Sequence, residues 1–503
     1  MNTDKNNLDE LRKYYRRLSN ILSNDLERKY DGNYPLDSDI RENLKKIILR
    51  EDDDEYKIYS YKDEIIKLWS LILEKSIVCL RYFDKREPFQ KITNKKPFAY
   101  GIEELSLFFK QYTNFESTLY GSVNYYRDHV IHVFRVWLLG INLLLRDNGK
   151  FLKEIIINEE YEFNNYEKIA MWSIIALTHD LGYPLEKSYQ VIDKTNEMMK
   201  AFVSNPTISM DVSFSGVQNS MNDFVLRFIS SKMWEIDPEQ RKTKEKIKEE
   251  FKREVEYRQS LSEEELKKYI KSLRYVARLQ PKYYFKFQKS LEHNEHGVLS
   301  SLIIYKLLLF FLESDYSLNE DYMFDYEDAR QFYIRREILR PIASHTCKDI
   351  YQNDALCFSF LLIICDDAQE WGRKNITQLY VNEKTDYEFA GVNIEVNDDS
   401  SEISISDRYS IAKKEIMQKL LISYRKQCID YRNLFRDGQD TSNRNFNFYR
   451  HLYIKSTISE GQIQYNLSLE IKKENQTKVI AKIEQDHKFK KKGYFETRFR
   501  RNI

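Results

Sequence analysis

The sequence predicts a mainly α protein with a helical core, an N-terminal helical extension and a small C-terminal α+β domain. Three observations support this prediction. Glycine (13 residues) and proline (8 residues) are scarce in a chain of 503, so few positions interrupt regular structure. Apolar side chains recur three and four residues apart through much of residues 1–375, which is the spacing of one helix face. From residue 376 onward, apolar and polar side chains alternate in short runs that are typical of strands.

The N-terminal helical region spans residues 1–120. Leucine, isoleucine and aromatic side chains recur at helical spacing among charged residues, which predicts amphipathic helices at residues 9–30, 39–50 and 63–83. Residues 84–99 contain two prolines and are predicted to form a loop. Since this region contains no chemical motif, we expect it to serve packing or oligomerisation.

The central region, residues 121–375, is predicted to be all-helical. Its helical patterns lie at residues 125–146, 167–179, 188–202, 218–232, 293–311 and 356–373. Arg340-Pro341 resembles a helix start, with proline at the first helical position. A charged insertion at about residues 238–275 carries lysine, arginine and glutamate at helical spacing. We interpret it as a solvated helical insertion, with a regulatory or interface element as the alternative.

The C-terminal region, residues 376–503, is predicted to be a small α+β domain. Strands are predicted at residues 378–381, 387–396, 402–405, 452–458, 462–471 and 479–483, and a helix at residues 409–435. Residues 488–503 form a basic tail of seven basic groups and one acidic group, with four aromatic side chains between them. This composition suits contact with nucleic acid or nucleotide, and a solvated tail is the alternative.

The composition limits which binding partners and which cellular compartment we expect for this protein. The 80 basic and 79 acidic residues nearly cancel, so any electrostatic attraction to a polyanion must be local. The first ten residues have no apolar core, and no run approaches roughly 18 consecutive apolar residues. We therefore expect neither a secretory signal nor a membrane-spanning helix. Five cysteines without a Cys-x-x-Cys pair indicate reduced thiols and a cytoplasmic protein.

The histidines are unevenly distributed. The chain contains eight, and six of them occupy four short segments beside apolar helical patterns: His129, His132, His179, His293, His296 and His345. His179 and Asp180 end an apolar run, and Gly182 and Pro184 favour a helix end at that point. Asp366 also ends an apolar run, where a carboxylate is costly to bury unless it is paired or bound to metal.

These residues form a candidate metal-ligand set. In chain order, the ligands are His132, His179, Asp180, His296, His345 and Asp366. The first two histidines and the two aspartates fit one Mn, Fe, Mg, Co, Ni or Zn ion without selecting among them. The other two histidines would complete a second site, with Asp180 bridging both ions. The number of ions, one or two, stays open. His129 and His293 each lie three residues before a ligand and could replace it, and Asp367 is the rival of Asp366.

The order of these ligands resembles that of the HD-domain metal-dependent phosphohydrolase superfamily. Three local matches carry the resemblance: His132-Val-Phe-Arg-Val136 is similar to the first ligand helix, Thr178-His179-Asp180-Leu-Gly to the namesake motif, and residues 364–373 to the closing aspartate helix. The resemblance covers about residues 121–375, roughly half of the chain. It implies an all-helical HD-domain core and metal-dependent hydrolysis of a phosphate ester or anhydride.

Within the superfamily, the resemblance implies two substrate classes. Deoxynucleoside triphosphate triphosphohydrolases are similar in having a large helical HD core with terminal additions and in oligomerising, although this chain has His129 where their first motif has arginine, and Gly182-Tyr183-Pro184 where they have Gly-His-Pro. Cyclic-nucleotide phosphodiesterases resemble the chain in the order of all six ligands, and the CRISPR-associated HD nucleases resemble it at the helix that His296 opens. We expect a dNTP triphosphohydrolase, with a cyclic-nucleotide or single-stranded nucleic-acid phosphodiesterase as the alternative.

The remaining expectations concern individual roles and biological context. The candidate catalytic residues are Asp180, His179 and His129, and the candidate substrate-binding residues are Arg127, Lys187 and Arg373 for phosphate and Tyr183 for a sugar or base. A nucleotide effector and homo-oligomerisation are further expectations. The Lys-, Ile-, Asn- and Tyr-rich composition is typical of an AT-rich bacterium, where such an enzyme could serve nucleotide-pool control or antiphage defence. An alternative of another class is a nucleotide-sensing or scaffold protein with a structural metal site.

Overall fold

The structure is a computed structural model. It describes residues 34–48, 62–80, 101–122, 128–145, 149, 151–153, 155, 157, 161–203, 216–236, 252–253, 256–312, 318, 322–347, 349–350, 357–369, 387–397, 402–411, 451–460, 463–475, 478–485 and 495–498. The predicted helix at residues 9–30, the loop at 84–99 and the strand at 378–381 lie outside these residues.

The described residues are mostly helical, which confirms the prediction of a mainly α protein. The helices are α1 (Ser38–Ile48), α2 (Lys62–Leu80), α3 (Ile102–Ser122), α4 (Val130–Leu144), α5 (Asn165–Thr178), α6 (Tyr183–Met199), α7 (Gly216–Ser230), α8 (Glu263–Ser272), α9 (Pro281–Glu292), α10 (His296–Leu307), α11 (Tyr326–Ser344) and α12 (Phe358–Ala368). The strands are β1 (Ser231–Ile236), β2 (Arg274–Leu279), β3 (Tyr387–Asn397), β4 (Glu402–Ile411), β5 (His451–Glu460), β6 (Ile463–Asn475), β7 (Lys478–Gln485) and β8 (Phe495–Arg498).

Helix α5 lies at the centre of the helical body. Every residue from Tyr166 to Thr178 is buried, and the helix packs against α2, α4, α11 and α12. Its first turn is fixed by a capping box: the Asn164 side chain accepts the N–H of Glu167, and the Glu167 carboxylate accepts the N–H of Asn164, both at 3.0 Å. Each buried leucine or isoleucine contributes about 1.5–3 kcal/mol, so the position of this helix depends mainly on apolar packing.

Three tryptophans join α5 to its neighbours. The Trp69 indole in α2 donates to the carbonyl oxygen of Leu177 at 2.7 Å. Trp137 in α4 donates to the Ser173 hydroxyl at 2.9 Å, and Trp172 donates to the carbonyl oxygen of Trp137 at 3.2 Å. All three rings are buried and their N–H groups are satisfied, as burial of an indole requires. The N-terminal region therefore shares the core of the helical body through α2.

The predicted helix at residues 218–232 is wrong at its C-terminal end. Helix α7 stops at Ser230, and β1 follows it and pairs antiparallel with β2. The charged insertion, predicted to be helical over about residues 238–275, therefore extends from a two-stranded ribbon, and its last two residues belong to β2. Its described helix α8 has no buried residue, as a solvated helix requires. The strand was missed because it is only six residues long, which is a weak signal beside a long charged pattern.

The predicted helix start at Arg340-Pro341 is also wrong. Helix α11 begins much earlier, where the Asp325 carboxylate accepts the N–H of Asp328 at 2.9 Å, and Pro341 lies in its last turn. His345 therefore follows the end of a helix, and its N–H donates to the carbonyl oxygen of Pro341 at 3.1 Å. Proline disrupts a helix interior but also occurs near helix ends, so this dipeptide alone does not distinguish a start from a stop.

Strands β3 to β8 form a six-stranded sheet in which each strand pairs with the next. Strands β4 and β5 are parallel, and the other pairs are antiparallel. Five of the six predicted strands coincide with β3 to β7. The predicted helix at residues 409–435 is wrong over residues 409–411, which end β4, and its remainder lies outside the described residues. The basic tail contributes β8, because Phe495 and Thr497 favour a strand and pair with Ile483 and Ala481.

No helix within the described ranges combines the length and the apolar character needed to cross a membrane.

Candidate metal centre

Five segments bring the six predicted ligands together, mostly at helix ends. His132 lies in the first turn of α4, His179 and Asp180 directly follow α5, His296 is the first residue of α10, His345 directly follows α11, and Asp366 lies in the last turn of α12. Side chains at a helix end can point away from the buried body, so helices that pack side by side can direct their end groups to one place. His132, His179 and Asp180 are buried, whereas the side chains of His296 and Asp366 are 17% and 27% exposed. The centre therefore opens to solvent on the side of His296 and Asp366.

One group of donor atoms surrounds the Oδ2 oxygen of Asp180. The Nε2 atoms of His132 and His179 lie 3.6 Å and 3.5 Å from this oxygen. The same two nitrogens lie 2.9 Å and 3.7 Å from the Oδ1 oxygen of Asp366. These four side chains bring two nitrogens and two carboxylate oxygens close together, which is a mixed donor set that suits a first-row divalent ion.

A second group surrounds the other oxygen of the same carboxylate. The Nε2 atoms of His296 and His345 lie 3.2 Å and 3.7 Å from the Oδ1 oxygen of Asp180 and 3.2 Å from each other. Asp180 is thus shared between two sets of imidazoles, one at each carboxylate oxygen. A carboxylate in this position can bridge two ions.

The hydrogen bonds at the Nδ1 atoms of the four ligand histidines suit metal binding. Each Nδ1 atom faces an oxygen acceptor: the Gln369 amide for His132, the Ala176 carbonyl for His179 at 2.9 Å, the Glu186 carboxylate for His296 at 2.6 Å and the Ile342 carbonyl for His345 at 2.6 Å. This pattern places a proton on Nδ1 and leaves the lone pair of Nε2 for a cation, as in metal-binding histidines generally. The Nε2 atom of His179 is buried and has no hydrogen-bond partner among the described residues, as expected for a ligand nitrogen.

The electrostatics of the centre favour ionised carboxylates. Burial disfavours the charge on Asp180, but the adjacent His179 and the hydrogen bond with His296 outweigh it and hold the pKa of Asp180 well below its usual value. The pKa of Asp366 is also well below its usual value, because His132 and His179 outweigh burial. Burial lowers the pKa of His296, but the hydrogen bonds with Asp180 and Glu186 outweigh it and raise the pKa to about 10.

The turn after Asp180 sets the distance between the two ligand groups. The N–H of Gly182 donates to the Ser300 hydroxyl of α10 at 2.8 Å. A Cβ atom on Gly182 would lie 2.4 Å from the carbonyl oxygen of His296 and 2.7 Å from Leu299. Only glycine lets the Asp180 turn approach the first turn of α10 this closely, so the residue allows Asp180 and His296 to meet.

We expect Gly182→Ala to reduce stability and weaken cation binding at His296. The added methyl group meets backbone atoms of α10, which cannot rotate away, so overpacking costs about 1–3 kcal/mol. Urea denaturation and Mn²⁺ binding would measure the two effects. Leu185→Ala, at an exposed position three residues later, is the control and should change neither quantity. Unchanged unfolding free energy and Mn²⁺ binding in Gly182→Ala would contradict the importance of this close approach.

Three predicted functional residues form one wall of the centre. The His129 ring stacks on Tyr183 with centroids 4.0 Å apart, and the Lys187 ammonium lies 4.9 Å from the centroid of the Tyr183 ring. Both groups therefore lie against the Tyr183 ring, where a stacked base would compete with them. His129 lies beside the ligands and outside both donor groups, although its ring centroid is 6.1 Å from that of His132.

Residues of α2 and α3 in the N-terminal region hold the backbone of His129 and the side chain of Asp128 in place. The Glu116 carboxylate of α3 accepts the N–H of His129 at 2.8 Å, and the Lys62 ammonium of α2 lies 3.0 Å from Glu116 and also pairs with Asp128. Burial lowers the pKa of Lys62, but Asp128 and Glu116 outweigh it and raise the pKa to about 12. Asp128 in turn accepts the N–H of Ile131 at 2.7 Å. These contacts fix the start of α4. The contacts of Glu116 and Lys62 were not foreseen because their partners are 13 to 66 positions apart in sequence.

The structure distinguishes the predicted ligands from the alternative candidates His293 and Asp367. His293 is exposed and directs Nδ1 to the carbonyl oxygen of Lys289, away from the ligand groups, and Asp366 rather than Asp367 joins the histidines. Arg127 and Arg373 lie outside the described residues. Sequence reasoning missed Glu186 and Gln369. Gln369 follows Asp366 by three residues, which is a detectable same-face spacing, whereas no pattern distinguished Glu186 from other surface acids.

No protein-family model matches the chain, and neither does any curated protein or solved structure with which it was compared. The helical body and the His/Asp cluster define the chain as a mainly α protein with a group of side chains that could bind metal.

Proposed function

We propose that the chain is a metal-dependent phosphohydrolase that acts on nucleotides through a two-ion centre. The observation that carries this proposal is the position of Asp180, whose two oxygens each face a separate pair of imidazole nitrogens. Two bound divalent ions would supply Lewis-acid stabilisation of phosphoryl oxygens and a lowered pKa of bound water. Carboxylate and imidazole ligands with this arrangement suit hydrolysis of a phosphate ester or anhydride.

The side chains of the centre have distinct roles in this proposal. The six ligands bind the ions, and the acceptors at the Nδ1 atoms keep each imidazole in the tautomer that exposes Nε2. The apolar helices exclude water behind His132 and His179, so substrate enters from the side of His296 and Asp366. His129 is positioned for proton transfer beside the centre, and Lys187 is placed to attract a substrate phosphate.

A deoxynucleoside triphosphate is the first substrate to test. A cyclic-nucleotide or single-stranded nucleic-acid phosphodiester is the second candidate, and the complete second donor group at His296 and His345 favours it, because a two-ion clamp suits in-line displacement at a phosphodiester. A nucleotide-sensing or scaffold protein with a structural metal site is the remaining alternative. The partial exposure of His296 and Asp366 favours an enzyme over that alternative, because a structural site is usually closed to solvent.

Product analysis tests the proposal directly. Protein loaded with Mn²⁺ would be incubated with dNTPs, NTPs, cyclic mono- and dinucleotides and single-stranded DNA, and the products separated by chromatography, with a chelator-treated sample as control. Release of triphosphate from a dNTP establishes the first substrate class. A linear nucleotide from a cyclic or polymeric substrate establishes the second. Metal binding without turnover of any substrate would overturn the enzymatic proposal in favour of a sensing or scaffold role.

A further inference from the structure

One carboxylate beside the centre is not among the predicted ligands. Glu186 lies in the first turn of α6, six residues after Asp180. Its Oε2 atom accepts the Nδ1–H of His296 at 2.6 Å and the backbone N–H of the same residue at 3.0 Å. A single oxygen therefore fixes both the ring and the backbone of one histidine, which leaves the imidazole little freedom to rotate.

The backbone contact has its own physical reason. His296 is the first residue of α10, and Glu295 at the preceding capping position makes no side-chain cap. The N–H groups of a first helical turn lack partners within the helix and carry partial positive charge. Glu186 supplies a negatively charged acceptor from a neighbouring helix, so α10 begins at the point where its first side chain faces Asp180.

His296 differs from the other three ligand histidines in this outer contact. The Nδ1 atoms of His132, His179 and His345 face neutral amide or carbonyl oxygens, whereas that of His296 faces a carboxylate. A carboxylate makes the opposite nitrogen more basic and a stronger ligand than a neutral acceptor does. His296 belongs only to the second donor group, so the effect of Glu186 is confined to that group.

The other oxygen of Glu186 contacts Lys187, the residue proposed to attract a substrate phosphate. Oε1 accepts a hydrogen bond from the Lys187 ammonium at 2.6 Å, and Lys187 covers Tyr183. The Glu186 carboxylate thus contacts both His296, a ligand of the second ion, and the ammonium group of Lys187.

We propose that Glu186 is a positioning residue that sets the affinity of the second metal ion by orienting His296. This inference rests on the proposed two-ion centre. Glu186 is not a ligand in this proposal, because it belongs to neither donor group and contacts the Nδ1 atom of His296 rather than the Nε2 atom that faces Asp180. Loss of such an outer partner typically weakens metal binding about 10- to 100-fold.

The test measures Mn²⁺ binding to the full chain by equilibrium dialysis, with spin coupling between the two ions followed by electron paramagnetic resonance. In Glu186→Ala, we expect the second ion to bind about 10- to 100-fold more weakly while the first ion binds as in the wild type. Glu186→Gln keeps an acceptor for the helix start but loses the charge, so we expect an intermediate weakening with near-wild-type stability. Glu197→Ala and Glu197→Gln, at an exposed glutamate of the same helix, are the matched controls.

Each outcome of this experiment distinguishes the two proposals. Wild-type affinity for both ions in Glu186→Ala and Glu186→Gln would overturn the role of Glu186 and leave the two-ion centre standing. Equal weakening of both ions would show that Glu186 supports the whole centre, which also overturns its assignment to the second ion. A wild-type protein that binds a single ion would overturn the two-ion centre and the role of Glu186 together.

Discussion

Asp180→Ala is expected to remove both ions of the proposed two-ion centre and to abolish the proposed phosphohydrolase activity. Each oxygen of this carboxylate faces one donor group, so its loss leaves both groups without their shared ligand. The decrease in metal affinity should exceed the roughly 10- to 100-fold effect of losing an outer partner, because a direct ligand is lost. Metal content per chain and product formation from the active substrate would measure the two effects.

The fold should survive this substitution. Helix α5 is held by buried apolar residues and by tryptophan hydrogen bonds that do not involve Asp180. Circular dichroism of the metal-free variant should therefore match that of the metal-free wild type, and Asp180→Asn, which keeps the size of the side chain, provides a second test. Asp193→Asn, at an exposed position in α6, should retain both ions and full activity. Activity in either Asp180 variant would mean that catalysis occurs elsewhere.

His345→Ala is expected to reduce the number of bound ions from two to one. His345 Nε2 lies 3.7 Å from Asp180 and 3.2 Å from His296, and it is part of the second donor group. The contacts among His132, His179, Asp180 and Asp366 do not involve His345, so the first ion should remain. Metal analysis after dialysis against Mn²⁺ measures the stoichiometry, and we expect activity to fall together with the second ion.

His293→Ala is the matched control for this substitution. His293 is exposed and directs its ring nitrogen to the carbonyl oxygen of Lys289, so its loss should change neither the metal content nor the activity. If both proteins bound two ions, His345 would not be a ligand that the second ion requires. If both bound one ion, the centre would be a single-ion site, and His345 would be a buried structural residue.

The fold was predictable where the local pattern was long and consistent. Helices α2 and α5 follow from sustained apolar spacing. The prediction failed where a short element competes with a longer pattern. Strand β1 was read as the end of a helix, and Pro341 was read as a helix start. In both cases tertiary pairing or packing decided between conformations that the local sequence permits.

The sequence by itself determined the mainly α class and the six ligand candidates, because apolar periodicity and clustered histidines are local properties of the chain. Only the tertiary structure showed which oxygen of Asp180 each imidazole faces, stacked His129 on Tyr183 beside the ligands and revealed Glu186 behind His296. The physical reason is sequence distance. Glu186 and His296 are 110 positions apart, and their contact depends on how α6 packs against α10 rather than on the residues beside either one.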